Sequence, residues 1–109
     1  YVDDNDEVCY FSGAKHRIFS RTNEIIGRKV QDCHPRDSVY QVNKIIAAFR
    51  KKEKDHADFW IMVRNRFIHI RYFALYTDEG NYKGTIEVSQ DVTDIRALKG
   101  ERRLLDWTE

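Results

Sequence analysis

The sequence predicts an α+β domain in which an antiparallel sheet wraps one amphipathic helix. Val39, Val42, Ile45, Ile46 and Phe49 fall at helical spacing and build one apolar stripe. After Asp55 the chain becomes rich in aromatic and β-branched residues, which suit a pleated, half-buried surface. The links between these later segments are a few residues long, so neighbouring strands must run antiparallel.

At the amino-terminal end, residues 1–3 and 8–11 are short β-prone stretches around Asp4-Asn5-Asp6-Glu7 and predict a hairpin. That acidic turn lacks the ligand count and the turning glycine of a Ca²⁺ loop and reads as a solvated turn. Ile18, Phe19, Ile25, Ile26 and Val30, punctuated by Gly27, predict two or three short helices over residues 14–30. Pro35 and Asp37 or Ser38 signal the start of the long helix, because short oxygen-bearing side chains can cap its first amides. Arg50, Lys51 and Lys52 stand where the helix dipole favours positive charge, so the run has a structural reason and does not read as a phosphate site.

Residues 58–64, 67–76 and 82–92 predict successive strands. Asn65 joins the first pair, and Asp78-Glu79-Gly80-Asn81 joins the second. Within the middle strand Ile68, Ile70, Tyr72 and Ala74 share the core face, and Phe67, His69, Arg71 and Phe73 share the other. Ile86 and Val88 alternate with Thr85, Glu87 and Ser89, so apolar residues are not confined to one side of the sheet and both faces need cover. Ile95, Leu98, Leu104, Leu105 and Trp107 predict an exit helix, interrupted at Gly100. The organisation is then a domain over residues 1–94 and a helical extension over 95–109.

A chain of 109 residues bounds the answer to a single domain, and a composition of 41% hydrophobic against 34% charged residues is that of a globular fold. The net charge of +1, with both signs interspersed, gives no field that argues for nucleic acid or an anionic membrane. Cys9 and Cys33 are too few for a disulfide framework, which favours a reducing, cytoplasmic setting. No apolar run is long enough to span a bilayer, and Tyr1-Val2-Asp3-Asp4 does not open like a signal peptide. The absent initiator Met predicts an excised fragment of a larger protein.

The order of two strands, short helices, one long helix, three strands and an exit helix resembles the PAS domain over nearly the whole chain. The most specific residues are Ile26-Gly27-Arg28, Thr77-Asp78-Glu79-Gly80 and Gln90-Asp91-Val92-Thr93-Asp94, the last similar to the ending of many PAS domains. More narrowly, residues 27–35, Asp58-Phe59-Trp60-Ile61 and residues 100–105 resemble a bacterial PAS subgroup that accompanies hemerythrin-like domains. The resemblance implies a five-stranded sheet of order 2-1-5-4-3 and a non-catalytic sensing or regulatory role beside neighbouring domains. A signal in that family travels through a ligand or cofactor held between sheet and helices, or through a change in homodimer packing.

The resemblance also implies where a ligand would sit. Phe49, Trp60, Met62, Ile70, Tyr72, Thr85, Glu87 and Ser89 are the pocket candidates. Glu87 is the most interesting, because a carboxylate under a sheet must be paired, hydrogen-bonded or protonated, and it can recognise a polar ligand. The plainer reading pairs it with a neighbouring Arg, Lys or Tyr. Phe59, Ile61, Val63, Ile86 and Val88 are the candidates for a dimer face opposite the pocket. The place of the reactive Cys of flavin-binding light sensors is taken by Val30, three positions before Cys33, which argues against flavin.

Cys33 and His34 are the weak candidates for a metal or haem ligand. Adjacent side chains rarely converge on one ion, and no second knuckle completes a zinc site. His16, His56 and His69 lack convergent partners and read as surface or strand-face residues. No nucleophile elbow, phosphate-cradling glycine loop or paired metal-binding His motif occurs, so no catalytic residue is assigned. Beside the ligand sensor stand two other readings: a dimerisation platform with no ligand, and a small cone-shaped enzyme using Glu87 or Cys33.

Overall fold

The computed structural model describes residues 1–13, 23–34, 36–105 and 107. Strand β1 (Val2–Asp3) opens the chain, followed by short 3₁₀ turns at Asn23–Ile25 and Val30–Cys33. Helix α1 (Arg36–Arg50) comes next, then strands β2 (His56–Val63), β3 (Arg66–Tyr76) and β4 (Tyr82–Asp91), and a short helix α2 (Thr93–Arg96). The strands form one antiparallel sheet in the order β1-β4-β3-β2.

The helix forms where its apolar stripe predicts. Val42, Ile46 and Phe49 are buried, and Val39 and Ile45 half-buried. Its end is a Schellman closure, in which the Lys52 amide donates to Phe49 O at 3.1 Å and the Glu53 amide to Ala48 O at 3.0 Å. Lys52, at φ 60, occupies the left-handed position that this closure requires. Val8, Val30, Val42 and Ile46 make a core cluster, against which Val2, Ile25 and Cys33 pack.

Both hairpins form. Arg64 and Asn65, at φ 50 and 65, make a two-residue β2–β3 turn with both central residues at positive φ, the arrangement whose twist suits paired strands. In the β3–β4 turn the Thr77 amide donates to Asn81 O and the Gly80 amide to Thr77 O, each at 2.8 Å, with Gly80 at φ 87.

The structure corrects the expected five strands and the long exit helix. Four strands form among the described residues, and the stretch expected as a second strand meets the first through an isolated Val2–Val8 bridge and backbone bonds of Tyr1 with Cys9 and Tyr10, without forming a ladder. Val8 is engaged with a different segment, its amide donating to Arg28 O at 2.8 Å and its carbonyl accepting from the Gly27 amide at 2.7 Å, while the Val30 amide donates to Asp6 O of the preceding turn at 2.7 Å. The exit helix ends at Arg96, with Gly100 at φ 66 beyond it. Leu98, Leu104, Leu105 and Trp107 are exposed, so the tail has no packing to repay the cost of nucleating a helix. Of the short helices expected over residues 14–30, the part over 14–22, with His16, Ile18 and Phe19, lies outside the described residues, as do the start signals Pro35 and the Asp37 side chain.

Candidate functional site

In an antiparallel ladder, residues directly opposite one another share a face. Phe59 lies opposite Ile70, and Ile70 opposite Ser89; Ile61 lies opposite Ile68; Tyr72 lies opposite Glu87, and Ala74 opposite Thr85. These residues therefore share one face, on which Ile68, Ile70 and Thr85 are buried. The other face carries Met62 with Phe67, Trp60 with His69, Arg71 with Val88, and Phe73 with Ile86.

This register corrects the expected grouping of β2. Trp60 and Met62 stand opposite the remaining pocket candidates, and Phe59, Ile61 and Val63 stand with them. A turn at Asn65 alone would pair Trp60 with Ile70; the two-residue Arg64-Asn65 turn pairs Val63 with Arg66 and shifts every β2 residue to the other face. The expected dimer-face group is divided for the same reason, with Ile86 and Val88 on the outer face and the β2 residues on the inner one.

The inner face has two differently engaged ends. At one end the Tyr76 hydroxyl donates to Phe49 O at 2.7 Å, Tyr82 and Thr85 share a hydroxyl bond at 2.7 Å, and the Tyr76 and Tyr82 rings meet edge-on at 6.4 Å. Phe49 and Thr85 thus belong to a packed aromatic cluster that ties α1 to the sheet. Burial raises the Tyr82 phenol above its usual pKa, keeping it a neutral hydrogen-bonding group.

At the other end stand Glu87, Tyr72, Ser89, Ile70 and Phe59. Glu87 Oε1 lies 3.4 Å from the Tyr72 hydroxyl and 3.5 Å from Ser89 Oγ, both longer than a close O–H···O bond. Among the described residues no Lys or Arg makes an ion pair with Glu87, whose electrostatic partner is the more distant Tyr1 amino group. Phe59 and Tyr72 rings pack tilted, 5.7 Å between centroids. The result is a carboxylate and two hydroxyls over an apolar floor, with Glu87 open to solvent. Such a group suits a small ligand that offers a hydrogen-bond donor or positive charge to the carboxylate and an apolar or aromatic body to the floor.

Cys33 and His34 turn back onto their own 3₁₀ turn. Cys33 Sγ lies 3.6 Å from Lys29 O, and His34 Nδ1 donates to Val30 O at 2.9 Å. His34 lines a shallow surface groove with Gln31, Asp32, Val39, Tyr40 and Asn43. Among the described residues no three His, Cys, Asp or Glu side chains gather as a metal site. His56 and His69 are each held by a carboxylate, Asp55 at 2.8 Å and Asp58 at 3.0 Å.

Two framing clusters rest on contacts that sequence spacing does not show. Arg50 donates to Asp4 O at 2.8 Å and to Asp6 Oδ1 at 2.6 Å, and its guanidinium lies 4.8 Å over the Tyr82 ring. At the end of β4, Asp91 accepts from Arg66 Nε at 2.7 Å and from the Thr93 hydroxyl at 2.7 Å, while Thr93 Oγ1 accepts from the Phe67 amide at 2.8 Å. These donors, Arg66 first, hold the Asp91 carboxyl down at a pKa of about 2. Asp91 and Thr93, which the resemblance picks out, alternate as acceptor and donor around the start of β3. No helix among the described residues is long and apolar enough to cross a membrane.

The model of the PAS domain family matches residues 1–93 of the chain. Among solved structures, the C-terminal domain of a protein from Streptococcus mutans is similar, with 26% sequence identity and a TM-score of 0.79 over 90% of this chain and 77% of that one. No curated protein matches the chain.

Proposed function

This chain belongs to the PAS domain family, and from that premise we propose that it is a ligand-sensing module of a larger protein, recognising a small polar molecule through Glu87 and relaying the change through self-association. The supporting observation is the loosely engaged carboxylate: Glu87 has hydroxyl neighbours only at 3.4 and 3.5 Å. A ligand donor placed on Glu87 gains a charge-assisted bond without breaking a strong one. Tyr72 and Ser89 orient the carboxylate, and Phe59 with Ile70 supplies the apolar floor. Ligand binding beside β3 and β4 loads the sheet itself, so the signal and the strands that carry it are mechanically continuous.

The similar Streptococcus mutans chain is described as a C-terminal domain, which supports reading this module as one part of a longer protein. A hemerythrin-like neighbour in a bacterial cytoplasm is the setting we infer from the resemblance of residues 27–35 and 100–105. The role is sensing without catalysis. Phe59, Ile70, Tyr72, Glu87 and Ser89 are the binding residues, and Trp60 and Met62 take no part in the pocket.

Native mass spectrometry of gently purified protein tests the reading. The expected result is a small-molecule adduct that disappears in Glu87→Gln while the circular dichroism spectrum is unchanged. An adduct-free wild type, or an adduct indifferent to Glu87→Gln, would reject ligand recognition at this carboxylate. An adduct-free protein that still self-associates would favour the platform reading.

A further inference from the structure

Strand β2 ends the sheet order β1-β4-β3-β2, so its outer row of backbone amides and carbonyls has no strand beside it among the described residues. An edge of this kind is ordinarily blunted by Lys, Pro or a bulge. Here its middle is Phe59, Trp60, Ile61 and Met62, exposed at 37, 60, 39 and 61% respectively. The register with β3 is unbroken from His56 to Val63, so no bulge turns the edge away. Charge appears only towards the two ends, as Asp58 and Arg64, of opposite sign.

The geometry points to β2 as a self-pairing edge: two copies of this chain join β2 to β2 antiparallel, about a two-fold axis through the Ile61 pair, into one continuous sheet. This deepens the self-association part of the reading above and does not depend on the ligand.

The sequence selects the register. With the axis at Ile61, Trp60 meets Met62 of the second copy, Phe59 meets its Val63, and Asp58 meets its Arg64. Each contact occurs twice by symmetry, and all are self-complementary. An axis at Trp60 instead sets His56 against Arg64 and Asp58 against Met62. An axis at Phe59 sets Asp58 against Trp60 and leaves it without a cation. An axis at Met62 brings Asp58 to Arg66, which Asp91 already holds at 2.7 Å. Only the Ile61 axis gives both charges an unspent partner and covers all four apolar side chains.

Asp58 is also compatible with a second partner. Its Oδ2 lies 3.0 Å from His69 Nε2, and its side chain is 49% exposed, so one oxygen can face the neighbouring copy. Both sides of the strand contribute. Trp60 and Met62 extend the outer face across the junction, and Phe59, Ile61 and Val63 extend the inner one.

Site-specific cross-linking in the full 109-residue chain, with Cys9→Ser and Cys33→Ser, tests the arrangement. Residues opposite their own copies in an antiparallel pair have Cα atoms about 4.5–5.5 Å apart, inside the disulfide range of about 4.4–6.8 Å. Ile61→Cys should therefore form a covalent dimer on mild oxidation. Phe59→Cys, whose own mate is offset by about 13 Å along the strand, should not. In sedimentation, Asp58→Lys or Arg64→Glu alone should weaken the dimer by about tenfold, and the two together should restore it. A dimer that cross-links through Val88→Cys and not Ile61→Cys would overturn edge pairing while leaving self-association in place. A monomer at micromolar concentration would overturn both.

Discussion

Arg50 and Asp6, 44 residues apart, meet at 2.6 Å between Nη2 and Oδ1. The contact places the last residue of α1 against the turn between β1 and Val8, while the same guanidinium covers the Tyr82 ring of β4 at 4.8 Å. One side chain thereby joins the amino-terminal turn, the helix and the sheet. Asp6 is further held by Gln31 Nε2 at 3.1 Å, and Gln31 Nε2 also reaches Asn43 Oδ1 of α1 at 3.0 Å.

Replacing Arg50 with Met keeps the aliphatic stem but removes the charged bonds to Asp6 and Asp4 O and the stacking on Tyr82. Asp6 is only 21% exposed at its side chain, so losing its cation leaves a poorly solvated carboxylate. The expected loss is about 1–2 kcal/mol, read as a lower urea midpoint, and about 5–10 °C in Tm. Arg50→Lys should recover part of it, because one ammonium cannot serve both oxygens and the ring.

Gly84 of β4 faces a different constraint. A Cβ there would meet Val2 O at 2.2 Å and the Tyr1 ring at 2.9 Å, and its φ is 156. The obstructing atom is backbone, so β1 must move. Gly84→Ala is expected to cost about 1–3 kcal/mol. It should also speed hydrogen exchange at Thr85, which pairs with Val2, more than at β3 amides distant from β1.

How much of this was legible follows the range of each interaction. The α1 stripe was readable because helical periodicity is local: Val42, Ile46 and Phe49 repeat within one element and all are buried. The common face of Ile70, Tyr72, Thr85, Glu87 and Ser89 followed from the resemblance of the Asp91-Val92-Thr93 ending, since alternation orders each strand but does not set one strand's face against the next. The β2 face was not readable, because Arg64 at positive φ gives no composition signal for a turn and one uncounted turn residue inverts the strand. Arg50 with Asp6 was invisible for the opposite reason. Local spacing assigned Arg50 to the helix dipole, and only the tertiary fold supplies an acceptor 44 residues away.

The Asp91 carboxyl gives a pH signature. Its folded pKa of about 2 lies below the ordinary carboxyl value of 3.8, so folding favours the ionised form. The stabilisation is complete above the unfolded value and fades as pH falls from about 4 towards 2. Urea midpoints of the wild type and Asp91→Asn should therefore differ at pH 6 and converge through that acid window. A difference that stayed constant to pH 2 would show that the bonds from Arg66 and Thr93 do not depend on the charge.

Arg64 separates monomer stability from self-association. At φ 50 it occupies a turn position where a side chain other than Asn or Gly costs about 1 kcal/mol. Arg64→Asn should raise the stability of the monomer by up to that amount, measured by urea unfolding at submicromolar protein. It also removes the cation that would face Asp58 of a second copy, so the same variant should dissociate at about tenfold higher concentration. The two readouts must move in opposite directions. A variant that stabilised the monomer without weakening the dimer would overturn the register about Ile61, because among the β2–β2 registers only that axis sets Arg64 against Asp58.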